Sequence, residues 1–127
     1  MNVVDSSAWL EYFTDRPNAQ SFATPIENYR DLIVPTICIF EVFKHVLRER
    51  GVKDAQQALS VMQEGNVIPL DSSLALNAAQ LSIRTRLPMA DSIILATARE
   101  HDAVLWTQDA DFKGFEGVEY RERKPAS

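Results

Sequence analysis

Five carboxylates in this chain sit where their neighbours do not account for them. Asp5 ends a short apolar run in MNVVDSSAWL. Glu41 is the only charge in ICIFEVF. Asp91 opens the nearly all-apolar stretch ADSIILATA, and Asp109 and Asp111 follow an apolar run in LWTQDADF. Carboxylates brought together repel: at about 4 Å and an effective dielectric of about 20, a pair costs about 4 kcal/mol. Such a cluster needs protons or cations. Oxygen donors with no histidine or cysteine among them point to Mg2+ or Mn2+ rather than zinc. Acid clusters holding such ions catalyse in-line attack of water on phosphodiesters.

Each acid also has a plainer role open to it. Asp5, with Ser6 and Ser7, stands where a helix cap belongs. Glu41 can lie on a solvated helix face near Lys44. Asp91 can favour a helix N-terminus by about 0.3–1 kcal/mol. Asp109 and Asp111 are of a residue type that turns favour. Whether the five converge depends on the elements that carry them.

Apolar runs predict strands over 2–4, 32–34, 67–70, 103–107 and, briefly, 118–120. Pro69 marks the third as an edge strand, and the continuous run 103–107 suits a strand covered on both faces. Helices are expected over 8–13, from the capping-box form Thr24-Pro25-Ile26-Glu27 to about Tyr29, and over 37–50 behind Thr36 as N-cap. In the 37–50 helix, residues 39, 43, 46 and 47 are expected to share the buried face. Further helices are expected over 54–64, closed by Gly65, over 72–84 behind Asp71 or Ser72, and over 90–100, the last apolar almost all round and therefore buried. Strands and helices alternate, which predicts an α/β layered fold with a mostly parallel sheet. In such sheets ligands gather beyond the carboxyl ends of strands. Asp5 and Asp109 follow strand ends, and Glu41 and Asp91 lie early in helices, so all can meet at one rim.

The chain has 127 residues and a net charge of −5, with 46% hydrophobic and 24% charged residues. That predicts one domain over 1–120, with a loosely ordered polar tail over 121–127. The acidic balance argues against broad attraction to nucleic acid or an anionic membrane, but leaves room for a local site where bound cations supply positive charge. No apolar run approaches the roughly 20 residues of a membrane span, and no signal peptide is expected. The single cysteine, Cys38, rules out an intramolecular disulfide, fits a reducing cytosol and reads as a small buried hydrophobe. His45 and His101 lie near helix ends, where a contact with the helix dipole is the expected role.

The order VVDSSAW, ICIFEVFK, MADSIILATA, LWTQDADF resembles a PIN domain, and is most similar to the toxin nucleases of bacterial VapBC toxin–antitoxin pairs. The resemblance spans nearly the whole chain. It implies a three-layer α/β fold with four to five short strands in the order 3-2-1-4-5 and helices on both faces. It also implies an Mg2+- or Mn2+-dependent endoribonuclease, the toxin of a type II toxin–antitoxin system, leaving 5′-phosphate and 3′-hydroxyl ends. By position, Asp5, Glu41, Asp91 and Asp109 match the family's acidic quartet. Asp5, Asp91 and Asp109 would hold the metal; Glu41 would orient the attacking water or bind a second ion with Asp5. Asp111 matches a less constant fifth acid, and Ser6 or Ser7 and Thr107 match polar residues beside the site. The implied partners are a second copy of the chain, an RNA substrate, and a small antitoxin whose segment covers the acids, all in the cytoplasm. Lys44, Arg84, Arg86, Arg99 and Lys113 lie near candidate site segments, with none singled out as an RNA contact.

Two other classes compete. A receiver-like domain needs an acceptor aspartate ending its third strand, where this chain has VIPL. A phosphatase of the haloacid-dehalogenase type wants a second aspartate two residues past the first, where this chain has Ser7. A non-catalytic binding module is the other reading. No glycine-rich phosphate loop follows the first strand, which argues against a nucleotide-binding fold.

Overall fold

In the computed structural model, residues 1–125 are described. The last two residues of the expected tail, 126 and 127, lie outside them. The chain opens with β1 (Asn2–Val4) and α1 (Ser6–Phe13), then α2 (Ala19–Glu27), a 3-10 turn (Tyr29–Asp31) and β2 (Leu32–Pro35). Next come α3 (Thr36–Arg50), α4 (Val52–Met62), β3 (Asn66–Ile68), α5 (Ser72–Thr85) and α6 (Met89–Glu100). It ends with β4 (Val104–Thr107), a second 3-10 turn (Ala110–Phe112) and β5 (Val118–Tyr120).

The five strands form one sheet in the order β3-β2-β1-β4-β5, and every pairing is parallel. β1 lies between β2 and β4, with Val3 opposite Ile33 and Val4 opposite Trp106. The chain steps outward from β1 to β3, then crosses back over to β4. Parallel crossovers keep one hand, so this reversal sends the connecting helices to opposite faces. It also opens a crevice at the carboxyl ends of β1 and β4, the switch point at which ligands bind in open α/β sheets. Val3, Val4, Leu32, Ile33, Val34 and Leu105 are buried in the sheet, with Trp9, Phe22, Ile94 and Phe112 packed around them.

Several local expectations are corrected. α2 begins after Asn18 and carries Pro25 inside it, so the capping-box form at Thr24 caps nothing. Ala19, Phe22, Ala23 and Ile26 form its buried face at helical spacing, and this burial outweighs the proline's missing donor. In α3 the buried stripe is Cys38, Val42 and Val46, at steps of four, and Leu47 is 39% exposed. The expected Val46 is in that stripe and Ile39 and Phe43 pack partly buried at its edge, while the stripe is centred nearer Cys38, which sits against the carbonyl of Val4 in β1. Gly65 does not cap α4, whose C-cap is Gln63. It lets the chain pass close to β2: a Cβ there would stand 2.8 Å from Val34 Cγ2 and 3.1 Å from the Leu32 carbonyl oxygen. β3 is an edge strand as Pro69 predicts, and α6 is buried from Ser92 through Ala98. Among the described residues, no helix is long and apolar enough to cross a membrane.

Candidate active site

A cleft of about 660 Å³ opens beyond the tips of β1 and β4, and Asp5, Glu41, Asp91 and Asp109 all line it. Four residues spread over more than a hundred positions of sequence meet there because each follows a strand end or opens a neighbouring helix.

Asp5 is both cap and site residue. Its extended backbone ends β1, and its Oδ1 accepts from the Ser7 N–H at 3.2 Å, capping α1. Its Oδ2 accepts from Ser7 Oγ at 2.7 Å and from the hydroxyl of Thr107, the last residue of β4. The side chain is held by strands adjacent in space and is only 3% exposed. Burial raises its pKa, the hydrogen bonds from Thr107 and Ser7 oppose that rise, and the charge of Asp109 adds to it.

Thr107 also organises the other side. Its Oγ1 accepts from the Asp109 N–H at 2.9 Å, and Asp109 Oδ1 accepts from the Asp111 N–H at 2.9 Å, capping the short turn that follows. Glu41 stands in the second turn of α3, where its Oε1 accepts from Ser6 Oγ at 2.7 Å. The two serines therefore divide the work: Ser7 holds Asp5, and Ser6 holds Glu41. Asp91 opens α6 with its side chain partly buried. Its pKa is raised to about 7, first by burial and then by the charges of Asp109, Asp5, Asp111 and Glu41.

One carboxylate oxygen each from Asp91, Asp109 and Asp111 lie within 4.8 Å of one another. Asp111 is exposed and is not part of the cleft lining, while the buried Asp5 lines the cleft. An oxygen-only set of this kind, open to solvent on one side, fits a hard divalent cation. A cation there would relieve the repulsion that lifts Asp91.

Sequence reasoning missed a buried polar network beside the acids. Gln108 Nε2 donates to Glu11 Oε1 at 3.0 Å, and the Asn18 N–H donates to Glu11 Oε2 at 2.9 Å. Asn18 Nδ2 donates to Gln108 Oε1 at 3.2 Å and to the Glu122 carbonyl at 2.9 Å. All three side chains are buried. Together with the Arg121 N–H donating to the Thr107 carbonyl at 2.8 Å, this pins the start of the tail that was expected to be loose. A signal was present: Glu11 is three residues from Ala8 and so falls on the buried face of α1.

The basic residues sort in a different way from their expectation. Lys44 lines the cleft, joined by Arg16, Arg48 and Arg123, while Arg84, Arg86, Arg99 and Lys113 are not part of its lining. His45 also faces it, and His101, at the C-terminal end of α6, donates from Nδ1 to the Thr97 carbonyl at 2.9 Å. Cys38 is fully buried, which pushes its thiol well above the ordinary range.

This sheet order and this rim of acids define a class. The chain matches the PIN domain over residues 3–118 and belongs to that family. Its fold is also that of solved toxin structures. A toxin–antitoxin complex from Klebsiella pneumoniae superposes with a TM-score of 0.83 at 24% identity, covering 97% of this chain and 100% of that one. VapC20 from Mycobacterium tuberculosis, described as a Sarcin-Ricin loop cleaving toxin, gives 0.76 at 16% identity, covering 93% and 98%. VapBC2 from Rickettsia felis, bound to a DNA fragment from its promoter, gives 0.73 at 12% identity, covering 95% and 97%. No curated protein matches the chain in sequence.

Proposed function

We propose that this chain is an endoribonuclease dependent on Mg2+ or Mn2+, and the toxin of a type II toxin–antitoxin pair. The observation that carries the reading is the convergence of Asp5, Glu41, Asp91 and Asp109 on one cleft, with Asp91, Asp109 and Asp111 within reach of a single ion. Family membership supports nuclease chemistry, and the toxin and antitoxin titles of the structural neighbours support the biological setting. The phosphatase, receiver-like and binding-module readings have no comparable support.

In this reading Asp5, Asp91 and Asp109 would hold the cation, directly or through water, with the exposed Asp111 within reach of the same ion. The bound ion supplies a lowered pKa for water and offsets charge on the phosphate. Glu41, fixed by Ser6, would orient the attacking water and take its proton. Thr107 and Ser7 keep the Asp5 carboxylate aimed and oppose the rise in its pKa that burial causes. The unit that carries this is residues 1–120, acting in the cytoplasm where RNA is available. Leu76 and Ile83, 66% and 85% exposed along α5, support pairing with a second copy. An antitoxin segment carrying a basic side chain into the acids is a fitting inhibitor, because its charge mimics the cation.

The test is cleavage of a mixed RNA pool with Mn2+ or with chelator, with the cut sites mapped. Cleavage only with Mn2+, absent in Asp91→Asn, is the expected result. Phosphate-monoester turnover with no RNA cleavage would favour the phosphatase reading.

A further inference from the structure

The cleft has two unlike walls. Asp5, Asp91 and Asp109 lie along one, and α3 contributes the other, where Glu41 stands beside a row at steps of four: Phe40, Lys44 and Arg48. Phe40 is the outlier of this row. It is 60% exposed, beside Glu41, in a helix whose buried stripe lies elsewhere. The Lys44 ammonium stands 5.6 Å from the centroid of its ring. An aromatic face with a cation over it, next to phosphodiester chemistry, is the combination that binds single-stranded nucleic acid. There, bases stack on rings and phosphates meet adjacent cations.

We propose that Phe40 is a stacking platform for an unpaired RNA base flanking the scissile phosphate, with Lys44 and Arg48 contacting the phosphates beside it. The proposal rests on the ribonuclease reading and adds a preference to it. A base inside an A-form duplex has no free face to offer, so the platform selects single-stranded or looped RNA. Lys44 is exposed and flexible, so its ammonium leaves the ring for a phosphate when a base arrives. A net charge of −5 gives RNA no general attraction to this protein, which makes a local stack and two local cations the natural means of holding it.

The experiment measures KM and kcat of the full chain with Mn2+ on a short single-stranded RNA, for the parent and for Phe40→Ala, Phe40→Leu and Phe40→Trp. The ring lies outside the core, so these substitutions leave packing intact. The expected result is that Ala and Leu raise KM by about tenfold with kcat changed less than about threefold, while Trp keeps the parent's KM. In the cleavage-deficient Asp91→Asn background, the added tryptophan of Phe40→Trp is quenched by the same RNA and not by its duplex, read against Trp9 and Trp106. Replacing Lys44 and Arg48 by alanine lowers the slope of log affinity against log salt by about 1.4.

A cleaving parent whose Leu variant keeps the same KM, with no quenching, overturns the platform and leaves the nuclease reading standing. A parent that cleaves no RNA while the Trp variant is still quenched sinks the nuclease reading, and with it the placement beside a scissile phosphate, though the ring still binds RNA. Unchanged RNA kinetics with weakened binding of a protein partner would assign the ring to that partner and overturn the proposal.

Discussion

The hydroxyl of Thr107 donates to the buried carboxylate of Asp5, fastening the tip of β4 to the tip of β1 at the switch point of the sheet. The same oxygen accepts from the Asp109 N–H. One small side chain thus sets the separation of two of the acids. Replacing it with valine keeps the shape and removes the donor. The expected cost is about 1–3 kcal/mol, because Asp5 is buried and loses a partner. Removing that hydrogen bond also raises the pKa of Asp5 further, since the bond opposes the effect of burial. Denaturant melts of Thr107→Val, with Mn2+ affinity measured alongside, check both effects.

Asp91 gives the pH dependence. A carboxyl of its kind ordinarily titrates near 3.8, and in the folded chain it is held at about 7. Between those values the folded chain keeps a proton that the unfolded chain has released. The group therefore favours the metal-free fold fully below about 3.8 and loses that contribution as pH rises through about 7. A cation competes with that proton, so Mn2+ is expected to raise Tm more at pH 8 than at pH 5. Asp91→Asn is expected to flatten the metal-free profile. Thermal melts in chelator and in Mn2+ at the two pH values measure this, and cleavage is expected to rise through the same range.

Glu41 and its partner Ser6 separate two roles for the glutamate. With water orientation as its task, Glu41→Gln abolishes cleavage and leaves Mn2+ affinity nearly unchanged. As a metal ligand it would lose both. Ser6→Ala, which frees Oε1 from its 2.7 Å hydrogen bond, is expected to lower kcat by about 10- to 100-fold. Single-turnover cleavage paired with a Mn2+ titration resolves the two.

The Glu11 network predicts a stability effect with a local signature. Glu11→Ala leaves the Asn18 N–H without its acceptor and the Gln108 amide with only the 3.4 Å contact to the Ser7 carbonyl, at a cost of about 2 kcal/mol. The tail should loosen at the same time, because Asn18 also holds the Glu122 carbonyl. Faster amide exchange at Arg121, with unchanged exchange in α6, is the expected pattern by mass spectrometry or NMR.

Much of this molecule was legible from residue order. Parallel strands need helical crossovers, so alternation of apolar runs with helical spacing led to the sheet, and Pro69 identified its edge. The acids stood out because a charge in an apolar setting needs a reason, and Asp5, Glu41, Asp91 and Asp109 line one cleft. What stayed hidden depends on rotation and tertiary partners. On α3, Ile39 and Phe43 pack at the edge of the stripe Cys38, Val42 and Val46, and only contact with β1 sets which residues lie innermost. Pro25 reads locally as a helix start, while the burial of Phe22 and Ile26 extends the helix across it. Glu11, Asn18 and Gln108 are each ordinary alone and form a network only when α1, the following turn and the end of β4 come together.

The central claim is that these carboxylates form one cation site. Calorimetric titration of Mn2+ into the full chain at pH 8 measures it, with Asp91→Asn and Asp109→Asn as comparisons. A saturable site is expected in the parent, weakened at least about tenfold in each variant, since even the partners of metal ligands cost about 10- to 100-fold when removed. No saturable binding in the parent, or binding that both variants leave intact, would contradict it.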